Sequence, residues 1–384
     1  MMLRSDKQWH RCLAFALVIL IFLVGCRTAD EIPVATRLSS ATLAIAQTPG
    51  PTSQIAEPGA SFGLSADEIE SLTSLRKVDE YPLYTMRYIG SYHTPIAEFD
   101  SQQMIDPSDS SKGAPVPAWA CSLFAAFGDS AGMLYGRNFD WRFSPALLLF
   151  TDPEDGYASV SMVDIEYLGF GEALSGKVDE LPLSERRRLL DALFLPFDGM
   201  NEQGLVVGMA AVPPGDMRPD PDKEVIDSLG VIREILDHAS DTNEAVEIMA
   251  KYNIDMGGGP PLHYLIGDTT GQGVLVEFYQ GEMKVITNQS PWHRATNFLK
   301  SAYDDPAEGV CWRHDEIGRR LEETGGILST GEAMDLLRSV SQTNTQWSIV
   351  YDMNDNDVLV AMGREYDNRH TFELEVEDSR PNSE

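Results

Sequence analysis

Three residues that lie close together in the sequence could carry out covalent chemistry: Cys121, Arg137 and Asp140. A cysteine thiolate attacks carbonyl carbons, a guanidinium group binds an anion, and a carboxylate can orient an amine. The spacing therefore predicts a compact site that cleaves amides through a cysteine nucleophile. Two simpler interpretations stay open, namely a buried structural thiol for Cys121 and a plain ion pair on a strand face for the other two residues.

The position of Cys121 inside the chain bears on how such a thiol could be activated. The reference pKa values of a thiol, about 8.5, and of an α-amine, about 7.7–8.0, are nearly matched, so a terminal amine on the same residue could act as the base. While Cys121 is joined to Ala120, its nitrogen is an amide and is not basic. The sequence thus predicts a cut between Ala120 and Cys121, after a loop at 98–116 that is rich in Asp, Ser, Gly and Pro.

The surrounding pattern predicts the elements that would position these residues. Apolar and β-branched runs predict a hairpin, Cys121–Phe127 and Met133–Arg137, around the turn Gly128–Gly132. Strand groups alternate with helix pairs farther along the chain, which favours an α+β fold with two antiparallel sheets packed together and covered by helices. Helices are predicted at 184–195, 225–239, 242–252, 314–323 and 331–340, a strand at 81–92, and a capped helix start at Ser65.

Composition limits the possible partners. The chain has 384 residues and a formal net charge of -31. Such an acidic surface repels phosphate backbones, so no nucleic-acid partner is expected. The histidines and the four cysteines show no metal-ligand spacing and no disulfide framework, so neither a metal nor another cofactor is expected.

The N-terminus has the pattern of an export signal. A positively charged start is followed by the apolar run Leu13–Val24, which is too short to span a bilayer, and then by Gly25-Cys26. This ending resembles a bacterial lipobox, which predicts a signal peptide over 1–25, a lipid on Cys26, a flexible tether over 26–62, and attachment of the exported protein to the bacterial cell envelope. A plain signal peptide or a short membrane anchor stays open.

Five segments in order along the chain resemble the choloylglycine hydrolase family, which includes penicillin V acylases and conjugated bile-salt hydrolases. They are Cys121–Trp141, the Asn-Glu-x-Gly-Leu run within 198–205, the pair 262–268 and 274–277, Ala295–Phe298, and Cys311–Arg313. The family belongs to the N-terminal-nucleophile superfamily, and acid-ceramidase-like amidases are its more distant relatives. The resemblance implies a four-layer αββα sandwich at 121–384, preceded by a pro-segment at 63–120.

The resemblance also implies a role for each matched residue. Cys121 matches the nucleophile, Arg137 the arginine beside the sulfur, and Asp140 the carboxylate that binds the free α-amine. Asn297 matches an oxyanion donor and Arg313 a second arginine. Asn288 is a competing match for Asn297, Asn201 could be catalytic or cap a turn, and Arg313 could merely flank a helix start.

Two departures from the family pattern affect the expected substrate. Ala211 stands where bile-salt hydrolases have a second asparagine, and a long segment precedes Cys121, as in the ceramidase-like amidases. The expected activity is therefore hydrolysis of a linear, non-peptide N-acyl amide, a small molecule, with bile conjugates ranked lower. An inactive lipoprotein that binds N-acyl ligands and a cysteine acyltransferase are the alternatives, and the oligomeric state is open.

Overall fold

The structure is a computed structural model that describes residues 63–92, 120–257, 259–304 and 307–375. The predicted signal peptide, the lipid on Cys26, the tether at 26–62 and the loop at 98–116 lie outside these residues. Along the described chain the strands are β1 (Arg76–Asp79), β2 (Leu83–Arg87), β3 (Ala120–Ala126), β4 (Leu134–Asp140), β5 (Ala146–Thr151), β6 (Ser159–Asp164), β7 (Asp198–Asn201), β8 (Val206–Ala211), β9 (Glu224–Asp227), β10 (Tyr252–Asp255), β11 (Leu262–Gly267), β12 (Gly273–Tyr279), β13 (Glu282–Thr287), β14 (Trp292–Ala295), β15 (Thr345–Asp352), β16 (Asp357–Met362) and β17 (Arg369–Glu373). The helices are α1 (Ala66–Thr73), α2 (Leu183–Arg186), α3 (Gly230–His238), α4 (Thr242–Lys251), α5 (Trp312–Thr324) and α6 (Thr330–Ser339).

These strands form two large sheets and one small one. The nine-stranded sheet has the order β1-β2-β5-β6-β7-β8-β11-β12-β13, and the six-stranded sheet has the order β14-β3-β4-β15-β16-β17. Both are antiparallel except where β2 joins β5 in parallel. The strands β9 and β10 form a separate parallel pair.

The layers follow the sequence-based expectation. Helices α3 and α4 pack on the nine-stranded sheet, and α5 and α6 pack on the six-stranded sheet. The two sheets face each other through contacts of β3 with β8 and β11, and of β12 with β14. The α+β, four-layer αββα arrangement is thereby confirmed.

Strand β3 is buried on both faces, and its alternation decides where the thiol points. Phe124 and Ala126 pack with α5 and α6 on the outer side. Cys121, Leu123 and Ala125 belong to the core between the two sheets. Because successive side chains of a strand point to opposite faces, Cys121 is directed at the nine-stranded sheet while Ser122 faces the helices.

The N-terminal part of the described chain, residues 63–92, belongs to the same fold. Helix α1 begins with the predicted capping box, in which Ser65 and Glu68 each accept the other's backbone N–H. The strand predicted at 81–92 is shorter than expected, since only β2 pairs with β5. Residues 63–92 therefore supply edge strands to the larger sheet.

Two predicted helices were wrong in part. Residues 225–227 form the end of β9 because they pair with β10, and α3 begins only after Asp227 accepts the backbone N–H groups of Leu229 and Gly230. The helix predicted at 184–195 is a single turn, α2, followed by a 3-10 helix, Arg187–Phe194. Within the described ranges, no helix is long and apolar enough to cross a membrane.

Candidate active site

Cys121 is the second residue of β3 and is fully buried. Its register partner on β4 is Phe139, so Arg137 and Asp140 lie on the neighbouring strand within reach of it. Its backbone N–H donates to Oδ1 of Asn297 at 2.7 Å, and its carbonyl accepts from Nη1 of Arg313 at 2.5 Å. The thiol, the nitrogen and the carbonyl of Cys121 each face a different polar partner.

Arg137 lies beside the thiol and is held from the opposite sheet. Its Nη2 lies 3.8 Å from Sγ of Cys121, and its Nη1 forms a fully buried ion pair with Asp198 of β7. The hydroxyl of Tyr351 donates to the other oxygen of Asp198 at 2.5 Å. A buried charge is tolerated only when it is paired and hydrogen-bonded, so Asp198 and Tyr351 allow a cation next to the thiol.

The burial of Cys121 affects its acidity more than Arg137 does. Burial raises the pKa of the Cys121 thiol above its ordinary value, the Arg137 cation opposes this, and the charge of Asp140 adds to it. The Arg137 cation by itself lowers the thiol pKa, but the net pKa is raised because burial has the larger effect. In the uncut chain the thiol is thus kept protonated.

Asp140 ends β4 and is bound by Gln342, in the loop before β15, and by Thr345, the first residue of β15. Its Oδ2 accepts from Nε2 of Gln342 at 2.9 Å, and its Oδ1 accepts from Oγ1 of Thr345 at 2.5 Å. Arg313 approaches Oδ2 to 3.6 Å. Burial raises the pKa of Asp140, while the hydrogen bonds from Gln342 and Thr345 and the two arginines work against that rise. These contacts fix the carboxylate rigidly at the end of the strand.

The amide of Asn297 has an orientation that its neighbours determine. Its Oδ1 accepts from the Cys121 N–H and from Nη2 of Arg313 at 2.9 Å, while its Nδ2 donates to the carbonyl of Ala211 at 2.8 Å. Turning the amide over would set its NH2 against two donors, which excludes the other assignment. Ala211 stands at the position where bile-salt hydrolases have a second asparagine, and here its backbone carbonyl accepts from Nδ2 of Asn297. Nδ2 carries a second hydrogen that can donate to another acceptor.

Arg313 is the second residue of α5 and reaches across the outer face of β3. Besides the contacts with Cys121, Asn297 and Asp140, its Nη1 donates to Oγ of Ser122 at 3.0 Å. The structure therefore brings together all five of the main candidates, which are Cys121, Arg137, Asp140, Asn297 and Arg313.

The two other candidate asparagines lie elsewhere. Asn201 donates to the carbonyls of Leu236 and Ala239 and accepts from the backbone at the turn before β8. Asn288 accepts from Gly273 and donates to backbone carbonyls at the end of β13. Both tie loops together, and neither contacts the set around Cys121 through these bonds.

A cavity of 620 Å³ opens beside β12 and β13. Its apolar lining includes Met217, Met249, Met256, Phe278 and Met283. Glu277 bonds to the segment that follows Asn297, so the next residue, Phe278, points to the opposite, helix-covered face of the sheet. The cavity thus lies on the other side of the sheet from the thiol.

Sequence reasoning missed several residues that hold the site. Asp198 and Glu277 lie within segments that resemble the family, but nothing in the sequence gave them a partner. Gln342 and Thr345 lie more than 200 positions from Asp140, and no local pattern marks them. In the part of the chain that the structure describes, no group of three or more His, Cys, Asp and Glu side chains could hold a metal ion.

Comparison with known proteins adds a family to this geometry. No curated protein matches the chain significantly. Among solved structures, a mutant of the conjugated bile acid hydrolase from Clostridium perfringens has 14% sequence identity and a TM-score of 0.47, covering 66% of this chain and 92% of that one. Penicillin V acylase from Agrobacterium tumefaciens has 16% identity and a TM-score of 0.43, covering 63% and 83%. At these values neither similarity assigns a substrate.

The family match is more specific. The family of linear amide C-N hydrolases, choloylglycine hydrolase family, matches residues 121–305, which begin at Cys121 and contain Arg137, Asp140 and Asn297. Arg313 lies just beyond the matched region and is joined to it by its bonds to Cys121 and Asn297. The region that carries the site, residues 121–305, therefore matches the model of the linear amide C–N hydrolases of the choloylglycine hydrolase family, over slightly less than half of the chain.

Proposed function

We propose that this protein hydrolyses a linear N-acyl amide to an acid and an amine, with Cys121 as an N-terminal nucleophile. One observation carries the proposal: the nitrogen, carbonyl and thiol of Cys121 are bound by Asn297, Arg313 and Arg137, respectively. A structural thiol needs none of these partners. The match of residues 121–305 to the family of linear amide C–N hydrolases supports the same reaction class.

The first step is a cut between Ala120 and Cys121. Sγ attacks the carbonyl of Ala120, the peptide C–N bond breaks, and the nitrogen of Cys121 takes up the proton that the thiol loses as the thioester forms. Water then cleaves the thioester, which leaves Ala120 with a carboxylate and Cys121 with a free thiol and α-amine. Asn297 already binds the nitrogen that becomes this amine.

The second step is hydrolysis of the substrate. The α-amine takes the thiol proton, the sulfur attacks the amide carbonyl, and the amine of the substrate leaves with that proton. Water releases the acid from the thioester. The second hydrogen of Asn297 Nδ2 donates to the developing oxyanion, and loss of such a donor typically reduces the rate by about 10²–10³-fold. Asp140 and Arg313 position the polar groups around the backbone of Cys121.

The substrate is proposed to be a medium- or long-chain N-acyl amide or a phenoxyacetyl amide. Bile conjugates rank lower, because Ala211 supplies no side-chain donor. Apolar side chains lie near the site on the same strand as Arg137 and directly after it. Two of them, Phe139 and Trp141, are buried in the core, where Phe139 stacks on Trp347.

Two variants test the nucleophile. Cys121→Ala should leave the chain uncut and without activity above background. Cys311→Ala is the matched control, because Cys311 is a partly exposed thiol at the start of α5 and should be dispensable. Intact mass, N-terminal sequencing and a panel of N-acyl amides provide the readouts. Turnover by Cys121→Ala, or full activity of an uncut wild-type chain, would contradict the proposal.

We also propose attachment to the bacterial cell envelope through a lipid on Cys26. The motivation is the lipobox-like ending of the apolar N-terminal run. Cys26→Ala should release the protein from membranes or leave the precursor unprocessed. Unchanged fractionation together with an unchanged mass would rule out the lipid.

A further inference from the structure

Two residues within the family-like segments, His263 and Glu277, have no part in the steps above, yet both are buried in the core. They lie on the neighbouring strands β11 and β12, and Nδ1 of His263 is 3.1 Å from Oε1 of Glu277. An acidic side chain that is fully removed from water is unfavourable unless it is paired and hydrogen-bonded. The burial of Glu277 therefore needs a structural or a functional explanation.

Glu277 binds the backbone just after Asn297. Its Oε1 accepts from the N–H of Lys300 and its Oε2 from the N–H of Ser301, each at 2.8 Å. Both N–H groups belong to the one-turn 3-10 helix Lys300–Ala302. A carboxylate at the start of such a turn binds N–H groups that have no partner within the helix. The carboxylate therefore fixes the chain three residues beyond the asparagine that contacts Cys121.

The charge state of Glu277 fits this role. Burial raises the pKa of Glu277, but the hydrogen bonds and charge of His263 together with the bonds from Ser301 outweigh that effect and lower it. The carboxylate is therefore ionised at neutral pH, and an ionised acceptor makes the stronger bond.

We propose that Glu277, oriented by His263, is a positioning residue that sets the location of Asn297 for oxyanion stabilisation. The inference rests on the proposed function of Cys121 and Asn297 and goes beyond it by naming what fixes the donor. The expected consequence is specific. Loss of Glu277 should slow the attack on an amide carbonyl, which needs the oxyanion donor, far more than it slows the alkylation of the thiol, which does not need that donor.

Asp268 offers a matched control. It is buried, follows β11 at the end of the strand away from Leu262, and accepts from the backbone N–H groups of Thr242 and Thr270 at 2.8 and 2.9 Å. Asp268 thus binds backbone N–H groups in the same manner as Glu277, but at the opposite end of the paired strands β11 and β12. Its removal should affect stability alone.

The test compares Glu277→Gln with Asp268→Asn by two measurements on folded protein. Glu277→Gln should lower kcat on an N-acyl amide by about 10²-fold at nearly constant KM, near the typical loss of an oxyanion donor. The rate at which iodoacetamide alkylates Cys121 should stay within about twofold of wild type. Asp268→Asn should leave both rates near wild type. His263→Phe should lower kcat less, because Glu277 keeps its two backbone donors.

A second variant covers the case in which Glu277→Gln does not fold. Lys300→Pro removes a single N–H from Glu277, and proline is tolerated at the first position of a helical turn. The preceding residue, Leu299, has φ -78 and ψ 109, which is compatible with a following proline. It should lower kcat by about tenfold relative to Lys300→Ala, again without a change in alkylation.

The outcomes separate this inference from the proposed function. Wild-type kcat in folded Glu277→Gln or Lys300→Pro would overturn the positioning role. A parallel loss of turnover and alkylation would overturn it too, since Glu277 would then support the thiol rather than the oxyanion donor. Activity of Cys121→Ala would instead overturn the proposed function.

Discussion

Two arginines in the described part of the chain are completely buried, and they make a natural comparison. Arg137 pairs with Asp198, which accepts from the hydroxyl of Tyr351 at 2.5 Å. Arg233 pairs with Asp237 at 2.7 Å, and Asp237 accepts from the hydroxyl of Tyr92 at 3.0 Å. Each centre therefore combines a buried guanidinium and a buried carboxylate with a phenol, which is fully buried for Tyr351 and partly buried for Tyr92.

The difference lies in what each guanidinium contacts besides its carboxylate. Nη2 of Arg137 lies 3.8 Å from the sulfur of Cys121, whereas Nη2 of Arg233 donates to the hydroxyl of Ser159 at 2.6 Å. A buried arginine paired with an aspartate thus occurs twice in the described part of the fold. Only the centre that adjoins a thiol is expected to take part in chemistry.

The largest predicted contrast comes from removing both charges at each centre. Arg137→Met with Asp198→Asn should reduce turnover by about 10²-fold or more, because each unit of rise in the thiol pKa removes about tenfold of the thiolate. Arg233→Met with Asp237→Asn leaves no unpaired charge either and should keep turnover per folded molecule near wild type. Steady-state kinetics with active-site titration measures both, and equal losses would abolish the contrast.

Single removals should instead make the two centres alike. Arg137→Met and Arg233→Met each leave a buried carboxylate without its cation, which typically costs about 3–5 kcal/mol of folding free energy. Denaturant unfolding measures the cost. A small loss at Arg233 alone would mean that its centre is less strongly coupled to the fold than that of Arg137.

A fall in pH should destabilise the part of the molecule that carries Asn297 and Arg313. Burial lowers the pKa of His293 to about 4 and that of His314 to about 3, from an ordinary value of 6.5. The unfolded chain takes up protons below pH 6.5 that the folded chain refuses, so stability is present above that pH and is lost as the pH falls toward 4 and then 3. The full loss is on the order of 3 kcal/mol for His293 and 5 kcal/mol for His314.

Denaturant midpoints between about pH 7 and pH 4 test this effect. The His314→Gln variant should lose less stability over that range than wild type, whatever its stability at neutral pH. An unchanged pH dependence would show that His314 does not exclude the proton.

The smallest expected effect concerns the counterion of Arg137. Asp198→Asn removes a negative charge near the thiol, so the pH midpoint of iodoacetamide alkylation should fall by up to about one unit. Asp237→Asn should leave the midpoint unchanged. A rise of the midpoint in Asp198→Asn would indicate that Arg137 has moved away from the sulfur.

Local sequence was sufficient for one half of the site and insufficient for the other. Cys121, Arg137 and Asp140 lie on one hairpin, whose register follows from its turn and its alternation, and the layered α+β fold follows from the order of its elements. The partners Asp198, Tyr351, Gln342 and Thr345 come together only when the two sheets and the loop before β15 are packed. The choice of Asn297 over Asn288 likewise depends on which turn reaches β3.

The position of strand β2, between β1 and β5 near the edge of the larger sheet, has a consequence for the assembled enzyme. Strand β2 pairs with β5, and the hydroxyl of Tyr81 donates to Oε1 of Gln346, the residue after the threonine that grips Asp140. If the chain is cut after Ala120, these contacts become contacts between two polypeptides. The mature protein would then be a heterodimer of its own fragments, and its unfolding midpoint would depend on protein concentration. Removal of the smaller chain would also weaken the support of the Asp140 carboxylate, because Tyr81 would no longer bind Gln346.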